Sequence, residues 1–291
     1  MCDNHSIDDM IEYSSRTGMT RRNFGALSLG AGLTMMLPPV ANAVAVTESN
    51  VDIKTPDGVA DSYFVHPSSG SAPAVLIWTD IMGLRPAFKM MAKRLAESGY
   101  AVLAPNPFYR SQKAPVVMPG KGMEDEATRK TLMGLMATLT PEKQFMDAQA
   151  FVTWLDAQTT VNKQRKMGTA GYCMGGPLTM RTAATFPDRI GAAASFHGAG
   201  LANDTANSPH LLVPKMKAQY LFAIAENDDQ RDPKAKDILK AAFANAKLPA
   251  EIEVYAGAQH GWCPPDSTVY NEVQAEKAWG RMLELFRKAL V

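Results

Sequence analysis

The segment Gly171-Tyr172-Cys173-Met174-Gly175 sets a cysteine between glycines, after a predicted strand and before a predicted helix. This is the G-x-S-x-G nucleophile elbow with cysteine in place of serine. The positive end of the helix favours a thiolate, and the backbone N–H of Met174 would face a developing oxyanion. The alternative is a buried structural cysteine in a Gly-rich turn. The position between strand and helix favours the nucleophile.

Two further residues complete a possible Cys-His-Asp triad. His260 follows the last predicted strand in a turn that contains glycine, and Asp228 ends the strand before it. Nucleophile, acid and histidine follow one another in this order in α/β-hydrolases, and the carboxylate fixes the imidazole tautomer. Asp229 and Asp232 compete for the acid role, but Asp228 lies nearest the strand end. His197, at the end of the strand after the elbow, could line the pocket, although a satisfied loop histidine explains it as well.

The elements that position these residues alternate along the chain. A hairpin is predicted over 51–65, and a polar, Met-rich excursion with one helix over 106–140. Buried strands are predicted at 74–78, 101–104, 166–170, 190–196, 218–225 and 251–255, and helices at 86–98, 142–158, 177–186, 234–246 and 271–290. This order predicts an α/β fold in a single domain over 44–291, with a mostly parallel central sheet flanked by helices. Ligands bind at the carboxyl ends of such strands, where every candidate lies.

Five sequence blocks together resemble the dienelactone hydrolase family. They are 171–176, 80–84, 99–106, 225–228 and 259–262, and they occur in the family's order over about residues 51–290. The resemblance implies an α/β-hydrolase that cleaves a small ester or lactone through Cys173, His260, Asp228 and an acyl-enzyme. It also implies Ile81 as the second oxyanion N–H. Asp80 stands where the family commonly has a Glu that contacts the resting thiol, so a thiol-activating or orienting role is implied, with an Asx turn as the alternative.

Substrate contacts are less well defined by the sequence. In the family, one arginine that binds the dienelactone carboxylate lies four residues beyond the catalytic histidine, where this chain has Pro264. Arg129 falls near the second such arginine, and Arg110 and Arg85 are other possible anion anchors. Apolar pocket walls could come from Met82, Phe108, Tyr109 and Trp262. The substrate prediction is therefore a small ester or lactone rather than dienelactone itself.

Residues 1–43 are predicted to be a twin-arginine export signal. Thr20-Arg21-Arg22-Asn23-Phe24 precedes the apolar run 25–37, and an Ala-x-Ala sequence ends at Ala43. The run of about 13 residues is shorter than the roughly 20 needed to span a membrane, so no stable membrane anchor is expected. Cleavage after Ala43 would remove Cys2 and release a periplasmic or secreted protein. The export machinery is the one predicted protein partner, and a buried or frayed N-terminal helix is the alternative.

Composition excludes several other classes. The 30 Lys and Arg balance 29 Asp and Glu without a basic block, so no nucleic-acid partner is expected. No His/Cys/Asp cluster has metal-ligand spacing, and neither metal nor cofactor is predicted. Two alternatives to the hydrolase remain: a thiol redox protein that uses Cys173 and Cys263, and a non-catalytic small-molecule-binding protein on the same fold.

Overall fold

The computed structural model describes residues 37–118 and 120–291, so residues 1–36 of the predicted export signal lie outside the described residues. The strands are β1 (Val46–Thr55), β2 (Gly58–Pro67), β3 (Ala74–Trp78), β4 (Ala101–Pro105), β5 (Met167–Tyr172), β6 (Ile190–Phe196), β7 (Gln219–Ala225) and β8 (Ala250–Tyr255). They form one sheet in the order β1-β2-β4-β3-β5-β6-β7-β8. The β1–β2 and β2–β4 pairs are antiparallel, and all other neighbours are parallel. The predicted single-domain α/β fold is confirmed.

Seven α-helices of the described chain connect and flank these strands. They are α1 (Pro86–Glu97), α2 (Glu126–Ala137), α3 (Pro141–Ala157), α4 (Gly175–Thr185), α5 (Glu226–Arg231), α6 (Ala235–Asn245) and α7 (Glu272–Ala289), and a 3-10 helix covers Pro209–Lys215. Proline opens α1 and α3, where its missing N–H costs no hydrogen bond. The Asp125 carboxylate caps α2 by accepting from the N–H of Thr128, 3.0 Å away.

Two apolar cores cover the two faces of the sheet. One includes Phe151 of α3 and Phe243 of α6, and the other includes Phe88 of α1 and Phe286 of α7. A third group, here called the Cys173 cluster, lies partly in the 106–140 excursion. Its buried members are Ile81, Phe108, Val117, Met123, Leu132, Leu135, Leu139, Cys173 and Met174. The excursion therefore supplies apolar side chains to the region of the predicted nucleophile.

The main differences from the predicted elements lie at their ends. The hairpin begins at Val46, because β1 pairs along its whole length with β2. Strand β7 ends at Ala225, and Asp228 lies in the short helix α5 that follows, not at the strand end. Helix α4 begins at Gly175, directly after the elbow, so it starts earlier than expected. In the part of the chain that the structure describes, no helix is both long and apolar enough to cross a membrane.

Candidate active site

The turn between β5 and α4 holds Cys173 in a left-handed conformation, with φ of 52°. Non-glycine residues rarely adopt this region, and such strain is typical of nucleophile elbows. A Cβ at Gly171 would lie 2.1 Å from the carbonyl oxygen of Gly175, and one at Gly175 would lie 2.4 Å from that of Trp78. Glycine is therefore required on both sides of Cys173, as the elbow pattern predicts.

The two predicted oxyanion donors follow neighbouring strands. Strand β3 lies beside β5 with Trp78 opposite Gly171, so Ile81 and Met174 both come just after the carboxyl ends of paired strands. Within the described ranges, neither backbone N–H donates to a loop or turn acceptor. Ile81 and Met174 also belong to the same apolar cluster as Cys173. Two N–H groups are thus available beside the elbow.

His260 and Asp228 form a short contact at the same edge of the sheet. The imidazole Nδ1 lies 2.7 Å from Asp228 Oδ2. The backbone N–H of His260 donates to Asn227 Oδ1 at 2.8 Å, which fixes the start of the histidine turn. Asp229 instead pairs with Lys236 at 2.7 Å, so the competing carboxylate has another partner. This geometry suits a histidine whose tautomer and orientation are held by a carboxylate.

His197 packs directly against His260. It follows β6 with φ of 40°, and its ring centroid lies 5.1 Å from that of His260 and 5.1 Å from that of Trp262, both edge to face. Both of its ring nitrogens are buried and have no hydrogen-bond partner among the described residues. Burial, and then the neighbouring His260, hold the pKa of His197 well below that of free histidine. His197 is therefore a neutral packing partner of His260, and not an exposed pocket residue.

The carboxylate of Asp80 is held by Arg85. Its Oδ1 and Oδ2 accept from Arg85 Nη1 at 2.7 Å and Nη2 at 2.9 Å, and Oδ1 also accepts from the N–H of Met82 at 2.9 Å. The latter bond is the Asx turn that the sequence left open as the alternative. Arg85 also forms an ion pair with Asp266, a residue that no sequence pattern singles out. Arg85 is thus no open anion anchor, because its charge is already paired with two carboxylates.

The proposed pocket residues separate into two groups. Met82 packs against the Cys173 cluster, to which Phe108 belongs. Tyr109 and Arg110 are engaged elsewhere: the Tyr109 hydroxyl donates to Asp147 at 2.8 Å, and Arg110 pairs with both Asp57 and Asp147.

The sequence indicated Trp262 as an apolar pocket wall and Arg129 as an anion anchor. Trp262 is fully buried and stacks on Tyr255, with ring centroids 5.4 Å apart, so it is a core residue beneath His197. Arg129 lies half-buried on the first turn of α2 and has no ion-pair partner within the described ranges. Of the three arginines considered as anion anchors, Arg129 alone is not already paired with a carboxylate there.

The two cysteines of the domain lie in different clusters. Cys263 is a free, buried thiol in the core that contains Trp262, and burial raises its pKa well above the usual value. Because Cys263 is a free thiol, it is not bonded to Cys173. The redox pairing of Cys173 with Cys263 is therefore not found. Among residues 37–118 and 120–291, no group of three or more His, Cys, Asp and Glu side chains could hold a metal ion.

Comparison with known sequences gives matches over almost the whole domain. The profile of the Dienelactone hydrolase family matches residues 60–290. A carboxymethylenebutenolidase from Rhodococcus opacus is 26% identical over 261 residues, which cover 87% of this chain and 94% of the relative. A relative from Methylorubrum extorquens is 27% identical over 293 residues, covering 96% of this chain and 97% of that protein.

Solved structures share the same fold. A dienelactone hydrolase-like promiscuous phosphotriesterase from metagenomic libraries superimposes with a TM-score of 0.70 at 22% identity, covering 85% of this chain and 100% of that one. A dienelactone hydrolase from Anabaena variabilis gives a TM-score of 0.55 at 18% identity, covering 84% and 99%. At these identities the likeness shows a common architecture, and the chemistry must be argued from the residues themselves.

Proposed function

Because the chain belongs to the dienelactone hydrolase family, we propose that it cleaves a small ester or lactone through a Cys173–His260–Asp228 triad and a covalent acyl-enzyme. The observation that carries this proposal is the 2.7 Å contact between His260 Nδ1 and Asp228 Oδ2, made at the sheet edge where the elbow presents Cys173. The proposal concerns the reduced thiol of Cys173. Cleavage after Ala43 would leave a mature chain with two cysteines, Cys173 and Cys263.

The chemistry proceeds in two halves. The Cys173 thiolate attacks the carbonyl carbon, and the N–H groups of Met174 and Ile81 stabilise the oxyanion. The intermediate collapses to a thioester while protonated His260 gives its proton to the leaving alkoxide. His260 then takes a proton from water, the hydroxide attacks the thioester, and collapse releases the acid and restores the thiolate. Asp228 stabilises the imidazolium in both halves.

The surroundings of Cys173 favour an uncharged, apolar acyl group. Eight buried apolar side chains form one cluster with Cys173, and four partly buried apolar residues pack on it: Met82, Val116, Met133 and Met136. Methionine adapts to differently shaped apolar ligands. Arg85 and Arg110 each pair with two carboxylates, so neither offers a free positive charge to an anionic substrate.

Ester turnover by the purified mature protein, kept reduced with dithiothreitol, tests the triad. We expect hydrolysis of short aryl esters or small lactones that Cys173→Ala abolishes. The matched control is Cys263→Ala, which removes the other thiol of the domain and should retain turnover. Full turnover by Cys173→Ala would refute the proposed nucleophile.

A pair of aryl esters tests the acyl preference. p-Nitrophenyl hexanoate and p-nitrophenyl hemiadipate carry acyl chains of equal length, but the second ends in a carboxylate. We expect kcat/KM at least about tenfold higher for the hexanoate, because the cluster offers no partner for a desolvated charge. Preference for the hemiadipate that is lost in Arg129→Gln would instead assign a carboxylate-bearing substrate held by Arg129.

We also propose that the protein is exported through the twin-arginine route to the periplasm or beyond. The support is the Arg21-Arg22 motif and the apolar run before Ala43. Close behind that boundary, the N–H of Val44 donates to the carbonyl of Glu97 at 3.0 Å, and Ala45 accepts from Ser68 at 2.8 Å. The backbone of the domain is therefore engaged from the first residue that cleavage would leave.

A further inference from the structure

Arg85 joins two loops of the active site through a single buried guanidinium. Its Nη1 and Nη2 donate to the two oxygens of Asp80 at 2.7 and 2.9 Å, and its Nε and Nη2 donate to Asp266 at 2.6 and 2.9 Å. The second hydrogen of Nη1 is directed at the carbonyl of Gly83, 3.3 Å away. All five N–H donors of the side chain are therefore used. Such a guanidinium has no donor left for a substrate.

The first loop that Arg85 binds carries a proposed oxyanion donor. Residues 80–83 form a tight turn in which the N–H of Met82 donates to Asp80 Oδ1 at 2.9 Å and that of Gly83 to the Asp80 carbonyl at 3.0 Å. Ile81 lies inside this turn. Because Arg85 binds both the carboxylate at its start and the carbonyl at its end, it fixes the direction of the Ile81 N–H.

The second loop carries the proposed general base. Asp266 lies six residues beyond His260, in the segment that leads to α7. The base of this segment is closed by the N–H of Asn271, which donates to the carbonyl of Trp262 at 3.1 Å. The segment that carries Asp266 is therefore attached at one end to the His260 turn and at the other to the long helix α7. Its bidentate bond to Arg85 ties that assembly to the Asp80–Gly83 turn.

We propose that Arg85 is a positioning residue that sets the oxyanion turn and the His260 loop relative to each other across the substrate. This inference rests on the proposed function. An oxyanion donor acts only if it lies within hydrogen-bond distance of the place where charge develops, and small displacements are costly. A planar, five-donor guanidinium can hold two carboxylates from different loops in one fixed geometry, whereas a lysine ammonium cannot.

The variant Arg85→Lys tests the inference, with Arg94→Lys as the matched control. Arg94 lies in helix α1, which begins directly after Arg85. It is 7% exposed, like Arg85, and binds Glu276 through two hydrogen bonds of 2.6 Å. It differs in contacting neither active-site loop through these bonds. Both variants keep the positive charge and lose a buried bidentate ion pair, so general destabilisation should affect them alike.

Three measurements on reduced protein separate positioning from a general structural effect. For Arg85→Lys we expect kcat for an aryl ester to fall about 10- to 100-fold with KM changed less than about twofold. Inhibition by a substrate-like aldehyde, whose thiohemiacetal places an oxyanion in the same site, should weaken in the same ratio. The rate of Cys173 alkylation by iodoacetamide should stay constant, because that reaction at a saturated carbon develops no oxyanion. Arg94→Lys should change none of the three.

The outcomes distinguish this inference from the proposed function. Full kcat in Arg85→Lys, or an equal loss in Arg94→Lys, overturns the positioning role while leaving the hydrolase intact. Absence of ester turnover in the wild-type protein overturns both. If Arg85→Lys does not fold, Asp266→Asn keeps the Arg85–Asp80 pair and removes one charge of the bridge. It should lower kcat about 3- to 10-fold with alkylation unchanged, and unaltered kcat in that variant would also refute the role.

Discussion

At the scale of single residues, the proposed acid–base pair depends on one carboxylate among three that lie close together in sequence. Asp228 contacts His260, Asp229 pairs with Lys236, and Asp232 contributes its N–H to the carbonyl of Asp228 at 3.0 Å. The short helix α5 gives these residues different directions. Only Asp228 of the three is placed to hold the tautomer of His260.

We expect Asp228→Asn to lower kcat/KM about 10²-fold or more, because the neutral amide cannot stabilise the imidazolium. Asp229→Asn is the control, and it should retain activity within about twofold since it breaks only a partly buried ion pair at the surface of α5. Steady-state kinetics with an aryl ester measures both. Equal losses in the two variants would contradict the assignment of Asp228.

We expect His197 to make folding sensitive to mild acid. Its folded-state pKa is held well below that of free histidine by burial and by His260. Below pH about 6.5 the unfolded chain binds a proton that the folded protein does not, so stability falls as the pH drops, by up to about 1.4 kcal/mol per pH unit from this group. Above that pH both states are neutral at this position and the group has no effect.

We expect His197→Asn to reduce the pH slope of stability between about pH 6.5 and 5 by up to about one proton equivalent. Asparagine tolerates the left-handed backbone found at this position. Urea unfolding at several pH values gives the slope for each protein. The variant will be less stable overall because a buried ring is lost, but an unchanged slope would show that His197 is not the titrating group.

The residues of the proposed triad could be picked out from the sequence because each stands in a short local pattern just after a strand, although Asp228 lies in the helix that follows β7 and not at the strand end. The sequence indicated Arg85 as a possible anion anchor, but its partner Asp266 lies 181 residues away along the chain. Nothing local in either segment indicates that pairing. The bonds of Tyr109 and Arg110 to Asp147 were missed for the same reason, since Asp147 lies 38 and 37 residues further along.

At the scale of elements, the elbow is set by close packing of backbone on backbone. Gly171 and Gly175 allow β5, β3 and the first turn of α4 to approach without a Cβ between them. The sequence predicts this unit well, because the glycine spacing is itself the consequence of the close approach. For the 106–140 excursion it predicts one helix without bounds, and the structure has α2 there, with its apolar face packed on the Cys173 cluster and not on the sheet.

We expect Gly171→Ala to destabilise the protein by at least about 3 kcal/mol, because its Cβ would lie 2.1 Å from a backbone oxygen that has no room to move. Gly134→Ala provides the matched control on exposed α2, where no atom lies within 4 Å of the added Cβ. It should stabilise by about 0.5–1 kcal/mol. Chemical denaturation measures both changes, and a neutral Gly171→Ala would contradict the tight elbow.

At the scale of the whole molecule, the supporting helices lie on the two faces of the sheet, and the residues of the proposed active site lie at one edge. The buried faces of helices α1, α3, α4, α6 and α7 cover the two faces of the sheet, while Asp80, Cys173, His197, Asp228 and His260 all follow the carboxyl ends of parallel strands. Alternating strands and helices predict this arrangement, since neighbouring parallel strands end at a common edge. The order of the strands in the sheet and the long-range ion pairs could not be predicted from the sequence and were found only in the structure.

The export proposal also concerns the whole chain. Replacing Arg21-Arg22 by Lys-Lys in the full-length protein should leave an uncleaved precursor in the cell interior, because the paired arginines are the feature read by the export route. Fractionation and N-terminal sequencing of the wild-type protein should find a chain that begins near Val44 outside the inner membrane. Unimpaired export of the Lys-Lys variant would contradict the twin-arginine proposal.

Acylation of Cys173 during turnover distinguishes the proposed mechanism, and it can be measured by mass spectrometry of the reduced protein quenched in acid during hydrolysis of p-nitrophenyl acetate. We expect one added acetyl group, located on the peptide that contains Cys173, absent in Cys173→Ala and present in Cys263→Ala. Turnover of the ester with no acyl group on Cys173, or with the same acyl group in Cys173→Ala, would refute the proposed nucleophile.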